Sequence, residues 1–165
     1  AAADQLNHQG HKVKLYERDE DQIVRQQGDT LDLHEESRLK ALIAAGLLDD
    51  FKIHYRTEAD KLRLTDHNAA VYFDDYTNEI PVEQNGASFR PEIDRGPFRD
   101  MLIDSLNKDT IVWNSKFVSL QAIDDGLGIL FDNGSTVYAD LVIAADGANS
   151  KIRKYITDIA PFIRV

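Results

Sequence analysis

The chain has 165 residues, 42% hydrophobic and 29% charged, which is enough for one domain with a core and too few for two. A formal net charge of −10 argues against nucleic acid or an anionic membrane surface as the main partner, and the basic residues are scattered. The absence of cysteine removes disulfides, zinc–thiolate sites and cysteine nucleophiles, and it fits a reducing, cytoplasmic setting.

Residues 1–10 read as the last turns of a helix, with alanines and Leu6 for propensity and Gly10 just past its end. A strand is expected over 12–17, carried by Val13, Leu15 and Tyr16 and closing on Glu17-Arg18-Asp19. Helix, glycine, strand and acidic residue form the second half of a βαβ unit. The strand and G-x-G-x-x-G loop of the first half do not precede it, so the N-terminus reads as a truncation.

A helix is expected over 34–48, with Leu39, Leu42 and Ile43 on one face and Gly46 closing it. Residues 51–90 read as irregular, with weak strand signals at 61–65 and 70–73. A second helix is expected over 96–106, with Asp94 near its N-cap, Pro97 in its first turn and Phe98, Met101 and Leu102 as its apolar stripe. Ile111-Val112-Trp113 is a short strand. A meander follows over 117–123, 127–131 and 136–138, with Asn133-Gly134 as a hairpin signal. Leu141 to Ala145 is continuously apolar, as in a parallel strand covered on both faces. No apolar run approaches the ~18 residues that span a bilayer.

Four places carry possible chemistry, each with a plainer reading beside it. Glu17 at a strand's carboxyl end suits the hydroxyls of an adenosine ribose, and equally suits solvent. Asp146-Gly147, followed by Asn149 or Ser150 as N-cap of a basic helix, suits a phosphate, or is an ordinary strand-to-helix turn. Arg95 and Arg99, one turn apart, suit a pyrophosphate, or form solvent-screened surface pairs. The loop from Gly28 to His34 suits the approach of a flat ring system, or merely connects, with Thr30 or Asp32 capping the helix. The five histidines have no ligand spacing, so no metal is proposed, and no residue stands out as a catalytic acid or base.

In chain order these pieces resemble the class A flavin-dependent monooxygenases of the p-hydroxybenzoate hydroxylase-like group, and within it the tetracycline-inactivating enzymes. The resemblance rests on Tyr16 to Asp19, Gly28 to His34, Glu92 to Arg95 with Phe98-Arg99, Asp109 to Trp113, and Ala139 to Gly147 with Ser150 to Lys154. It implies an α/β fold, a partial Rossmann-like FAD-binding domain with a mainly parallel sheet and an antiparallel meander, and a substrate-side role for 54–80. It implies FAD bound with Glu17 at the ribose, Arg18 near the adenine end, Arg95 at the phosphate and ribityl region, and the loop with Asp32 near the isoalloxazine. Asp146 and Gly147 would support the pyrophosphate side and reduction by NAD(P)H. The flavin would activate oxygen and hydroxylate an aromatic or polyketide-like small molecule, with tetracycline-type compounds and antibiotic resistance as one case.

The family's glycine fingerprint, its Gly-Asp flavin motif and its substrate-covering sheet are expected in the remainder of a longer parent chain. The 165 residues alone are therefore expected to be inactive, to bind FAD poorly, and to leave an open edge beside 12–17. The other readings are a different Rossmann-type NAD-dependent oxidoreductase, or a non-catalytic interaction module without cofactor.

Overall fold

The computed structural model describes residues 2–24, 28–33, 39–56, 63–74 and 91–159. In chain order the first elements are α1 (Ala2–His8), β1 (Leu15–Tyr16), β2 (Thr30–Asp32), α2 (Lys40–Ala44), α3 (Leu48–His54), β3 (Tyr55–Arg56), β4 (Arg63–Thr65) and β5 (Val71–Asp74). There follow β6 (Glu92–Asp94), α4 (Arg95–Asp104), β7 (Ile111–Val112), β8 (Phe117–Ile123), β9 (Gly126–Phe131), β10 (Thr136–Ala139) and a 3-10 turn over Arg153–Tyr155. They form two compact units: Ala1–Val13 with Arg25–Thr110, and Lys14–Val24 with Ile111–Val165.

The first unit packs helices against a three-stranded antiparallel sheet in the order β2-β6-β3. Its core is Leu33, Leu39, Leu42, Leu47, Phe51, Ile93 and Met101, with Phe98 and Leu102 against it. Of the expected helix over 34–48 the structure forms α2, closed at Gly46 as expected, and α3 follows as a separate helix, residues 34–38 lying outside the described residues. Gly46 at φ +71 makes the break between them. The N–H of Gly46 donates to Ile43 O and that of Leu47 to Leu42 O, the paired bonds of a left-handed helix stop. Gly10 at φ +85 ends α1 the same way.

Leu47 and Phe51 then extend the apolar face, while Ile43, expected on it, is 56% exposed. α3, within a stretch read as irregular, was marked by charge: Asp49 and Asp50 stand in its first turn and Lys52 and His54 in its last. α4 starts one residue before the expected helix and ends two before it, with Asp94 at its N-cap as expected. The Asp94 side chain makes no cap hydrogen bond; it pairs with Arg56 across 2.7 Å. β4 and β5 form a hairpin of their own, with Leu64, Val71, Tyr72 and Phe73 all exposed.

The second unit holds the parallel pairing. β1 runs beside β7, with Leu15 opposite Ile111 and Tyr16 opposite Val112. The meander folds as expected into an antiparallel sheet in the order β10-β9-β8, turning at Gly134 at φ +82. Ile129 and Phe131 are buried, and the Tyr16 ring stacks on Phe131 with centroids 4.7 Å apart. Among the described residues parallel pairing is confined to β1 and β7, and every other ladder is antiparallel.

The expected buried strand over 141–145 is not formed: Leu141 is 73% exposed and Ile143 62%. A parallel strand needs neighbours to take its backbone hydrogen bonds and layers on both faces to cover it, and among the described residues none pairs with this run. The basic helix expected after Ser150 is likewise only the 3-10 turn.

The β9–β10 pairing is tight at one glycine. A Cβ added to Gly126 would lie 2.9 Å from the carbonyl oxygen of Ala139, a backbone atom that cannot swing aside. Gly126→Ala should therefore cost about 1–3 kcal/mol in urea unfolding. Gly28→Ala, where nothing lies within 4 Å, should stay within about 0.5 kcal/mol.

Candidate functional site

Glu17 stands just past β1, at the carboxyl end of the parallel pair, and its main chain is held on both sides. Its N–H donates to Val112 O across 3.0 Å, and its carbonyl accepts from Ser115 N–H at 2.8 Å. Asp19 O accepts from Asn114 N–H at 2.8 Å, so the chain beyond the strand is tied to the turn after β7. The Glu17 side chain is half-buried, and its Oε1 accepts from the N–H of Asp19 at 3.1 Å. A carboxylate accepts on both oxygens, so this one retains acceptor capacity for a diol. Arg18, beside it, is exposed.

Two residues that position Glu17 went unremarked in the sequence. Asn114 adopts φ +52 to turn the chain, and buried Ser115 donates its hydroxyl to Trp113 O at 3.1 Å. Their signal was the Asn-Ser pair directly after a strand, a combination that favours turns with side-chain to backbone bonds.

Asp146 and Gly147 lie in the same unit, in a loop closed on itself. Gly147 takes φ +81, and its carbonyl accepts from Ser150 N–H at 3.1 Å. The Asp146 Oδ2 accepts from Lys151 N–H at 2.7 Å and Ile152 N–H at 3.4 Å. Ser150 acts as the expected cap: its Oγ accepts from Arg153 N–H at 3.1 Å. The Arg153 Nη1 donates to Ala148 O at 3.0 Å.

Slight desolvation pushes the Asp146 carboxyl up, but hydrogen bonds from Ser150, Lys151, Ile152 and its own amide outweigh it and hold the group below its ordinary 3.8. A depressed folded-state value means the loop's stabilisation is complete above the unfolded value and is lost as pH falls through the folded one. The amide proton shifts of Lys151 and Ile152 should therefore titrate with a midpoint below 3.8. A midpoint at or above 3.8 would contradict the carboxylate's engagement.

The other two positions belong to the first unit. Asp32 ends β2 opposite Glu92; it is half-buried, with its Oδ1 enclosed. Arg95 opens α4 with an exposed side chain, and its N–H donates to Asp29 O at 3.2 Å. Asp29 holds φ +65, a conformation aspartate tolerates through local hydrogen bonding. The structure thus joins Arg95 to the start of the 28–33 loop, at the end of β2 away from Asp32. Three residues of strand rise, about 10 Å, separate those ends. Among the described residues no three His, Asp or Glu side chains gather to hold a metal ion, and no helix is long and apolar enough to cross a membrane.

No protein-family model matches the sequence. A monooxygenase of Penicillium thymicola, penA, is 31% identical over 134 residues, covering 76% of this chain and 29% of that protein. The crystal structure of the tetracycline destructase Tet(55) superposes with a TM-score of 0.71 at 26% identity, covering 94% of this chain and 37% of that one. In fold, the chain also matches Klebsiella pneumoniae HpxO complexed with FAD and uric acid, with a TM-score of 0.75 at 19% identity, covering 93% of this chain and 38% of that one. The chain spans about a third of the length of the curated relatives it matches. Its relatives in sequence and its neighbours in fold are FAD-dependent monooxygenases.

Proposed function

We propose that the protein binds FAD through this region and uses it, with NADH or NADPH as reductant, to hydroxylate an aromatic or polyketide-like small molecule. The observation that carries the reading is Glu17, a carboxylate fixed at the carboxyl end of the parallel pair in a chain whose relatives are flavin monooxygenases. The residues present fit the cofactor. The Glu17 carboxylate accepts hydrogen bonds from the ribose hydroxyls, and its charge disfavours a phosphate at the 2′ position. Arg18 lies toward the adenine end. In the loop 146–153, Gly147 has no side chain and a left-handed backbone, which suits a close approach by the pyrophosphate.

Arg95 and the 28–33 loop with Asp32 belong to the first unit and suit a flavin nucleotide by their own chemistry, the exposed guanidinium as a donor of charge-assisted hydrogen bonds to phosphate. When bound, the flavin supplies oxygen activation; the chain supplies binding and orientation. The exposed apolar hairpin of β4 and β5 suits the substrate side, as 54–80 is read. Tetracycline-type compounds are one candidate class, since a tetracycline destructase is among the structural neighbours.

The test is oxygen-18 incorporation by the full-length protein supplied with FAD, NADH or NADPH and a panel of phenolic and polyketide compounds. A product carrying one labelled oxygen per reduced nicotinamide consumed is expected. Oxidation of an alcohol with NAD alone, and no label, would sink the reading.

A further inference from the structure

The turn after β9 reaches the main chain of Glu17 through a single peptide group. Asn133, in that turn, donates from its Nδ2 to the carbonyl of Asn114 at 3.0 Å. Its Oδ1 accepts from the N–H of Ser135 at 2.9 Å and from the Ser135 hydroxyl at 2.6 Å. A main-chain N–H only donates and a carbonyl only accepts, so these partners fix which way the amide points. The carbonyl of Asn114 and the N–H of Ser115 belong to one planar peptide unit and point in opposite directions. That N–H donates to Glu17 O at 2.8 Å. One rigid plane is therefore held by Asn133 on one side and by the Glu17 main chain on the other.

Asn114 itself adopts φ +52, a conformation that a residue with a Cβ keeps only where its surroundings hold it. Its N–H is tied to Asp19 O, and its carbonyl to Asn133. The turn has other attachments to the same region. Asp132 N–H donates to Lys116 O at 2.9 Å, and Phe131 stacks on the Tyr16 ring. Removing the Asn133 amide thus leaves the turn in place and frees only the 114–115 peptide.

We propose that Asn133 is a positioning residue of the dinucleotide site: its amide sets the tilt of the 114–115 peptide, which fixes the main chain at Glu17 and with it the direction of the Glu17 carboxylate. This rests on the reading of the protein as FAD-binding with Glu17 at the ribose. The role needs an amide. Aspartate at 133 keeps an acceptor for Ser135 but sets an oxygen against Asn114 O, and alanine leaves that carbonyl to solvent.

The experiment measures the FAD dissociation constant by flavin fluorescence for the full-length protein and its variants N133A, N133D, S135A, E17A and E17A/N133A. Hydrogen–deuterium exchange across 114–116 is read alongside. N133A and N133D should each speed exchange there and weaken FAD about fivefold, which is what one net hydrogen bond contributes. S135A removes a bond inside the turn and leaves the grip on Asn114, so it should bind FAD as the wild type does. In the E17A background N133A should weaken FAD by no more than about twofold further, because a residue acting through Glu17 has nothing left to act on.

Faster exchange with unchanged affinity in N133A overturns the positioning role, as does unchanged exchange. Weakening confined to N133D is repulsion by the added charge and overturns it too. A loss in S135A equal to that in N133A traces the effect to the turn as a whole, and an N133A loss of equal size with and without Glu17 bypasses Glu17; either result contradicts the role. Wild-type protein that takes up no FAD overturns the functional reading and the positioning role with it; wild-type uptake matched by N133A overturns the positioning role alone.

Discussion

Phe51→Ala should destabilise the first unit by about 3–5 kcal/mol, read as a fall in the urea midpoint at unchanged slope. Phe51 is 1% exposed, within the cluster of Leu33, Leu39, Leu42, Leu47, Ile93 and Met101, and its ring stacks on Tyr55 with centroids 5.8 Å apart. Truncation removes the transfer energy of the ring and leaves a void that helices fixed by the Gly46 stop cannot collapse to fill. Since small domains carry only about 5–15 kcal/mol of stability, a loss of this size removes a large share of it. Two residues on in the same helix, Ile53 is 75% exposed, and Ile53→Ala should move stability by no more than about 0.5 kcal/mol. Equal costs at the two positions would mean that α3 presents a different face to the core.

Glu17→Ala should raise the FAD dissociation constant of the full-length protein about 10- to 100-fold while leaving its unfolding midpoint nearly unchanged. Hydrogen bonds to a charged partner contribute about 1.5–3 kcal/mol each, and a ribose offers two hydroxyls to one carboxylate. The stability effect is small because the backbone bonds of Glu17 to Val112 and Ser115 survive the substitution, and only the bond from Asp19 N–H to the side chain is lost. Glu17→Gln keeps an acceptor oxygen without the charge and should fall between the two. Fluorescence titration and urea unfolding of the three proteins check this, and unchanged affinity in Glu17→Ala would remove Glu17 from the site.

What was legible in the sequence follows from which interactions are local. Gly10, Gly46 and Gly134 announced their turns because a left-handed backbone is cheap only for glycine, and all three take positive φ. The meander was legible because alternation and Asn133-Gly134 fix a hairpin within a few residues. The pairing of β1 with β7 joins distant parts of the chain, Leu15 and its partner Ile111 standing 96 positions apart, and only chain order and resemblance pointed to a parallel sheet.

Reading failed where the outcome depends on partners. An apolar run such as Leu141 to Ala145 becomes a buried strand only with neighbours, and composition alone cannot supply them. Asp94 had the right residue type and position to cap α4, yet Arg56 took its carboxylate, a competition invisible along the chain. The Asn114 and Ser115 contacts that hold the chain at Glu17 come from a distant segment. Ser150 was legible as a cap from its type, whereas the turn of the Asp146 carboxylate onto the N–H groups of Lys151 and Ile152 needed the loop's geometry.

The measurement that bears most directly on this account is the flavin content of the full-length protein. Purified after incubation with FAD and freed of excess, it should be yellow, with the two visible flavin bands. Denaturation should release FAD, identified chromatographically, at close to one per chain, and NAD+ should not displace it. Colourless protein that shows no saturable uptake of FAD would contradict the assignment of this fold as a flavin site.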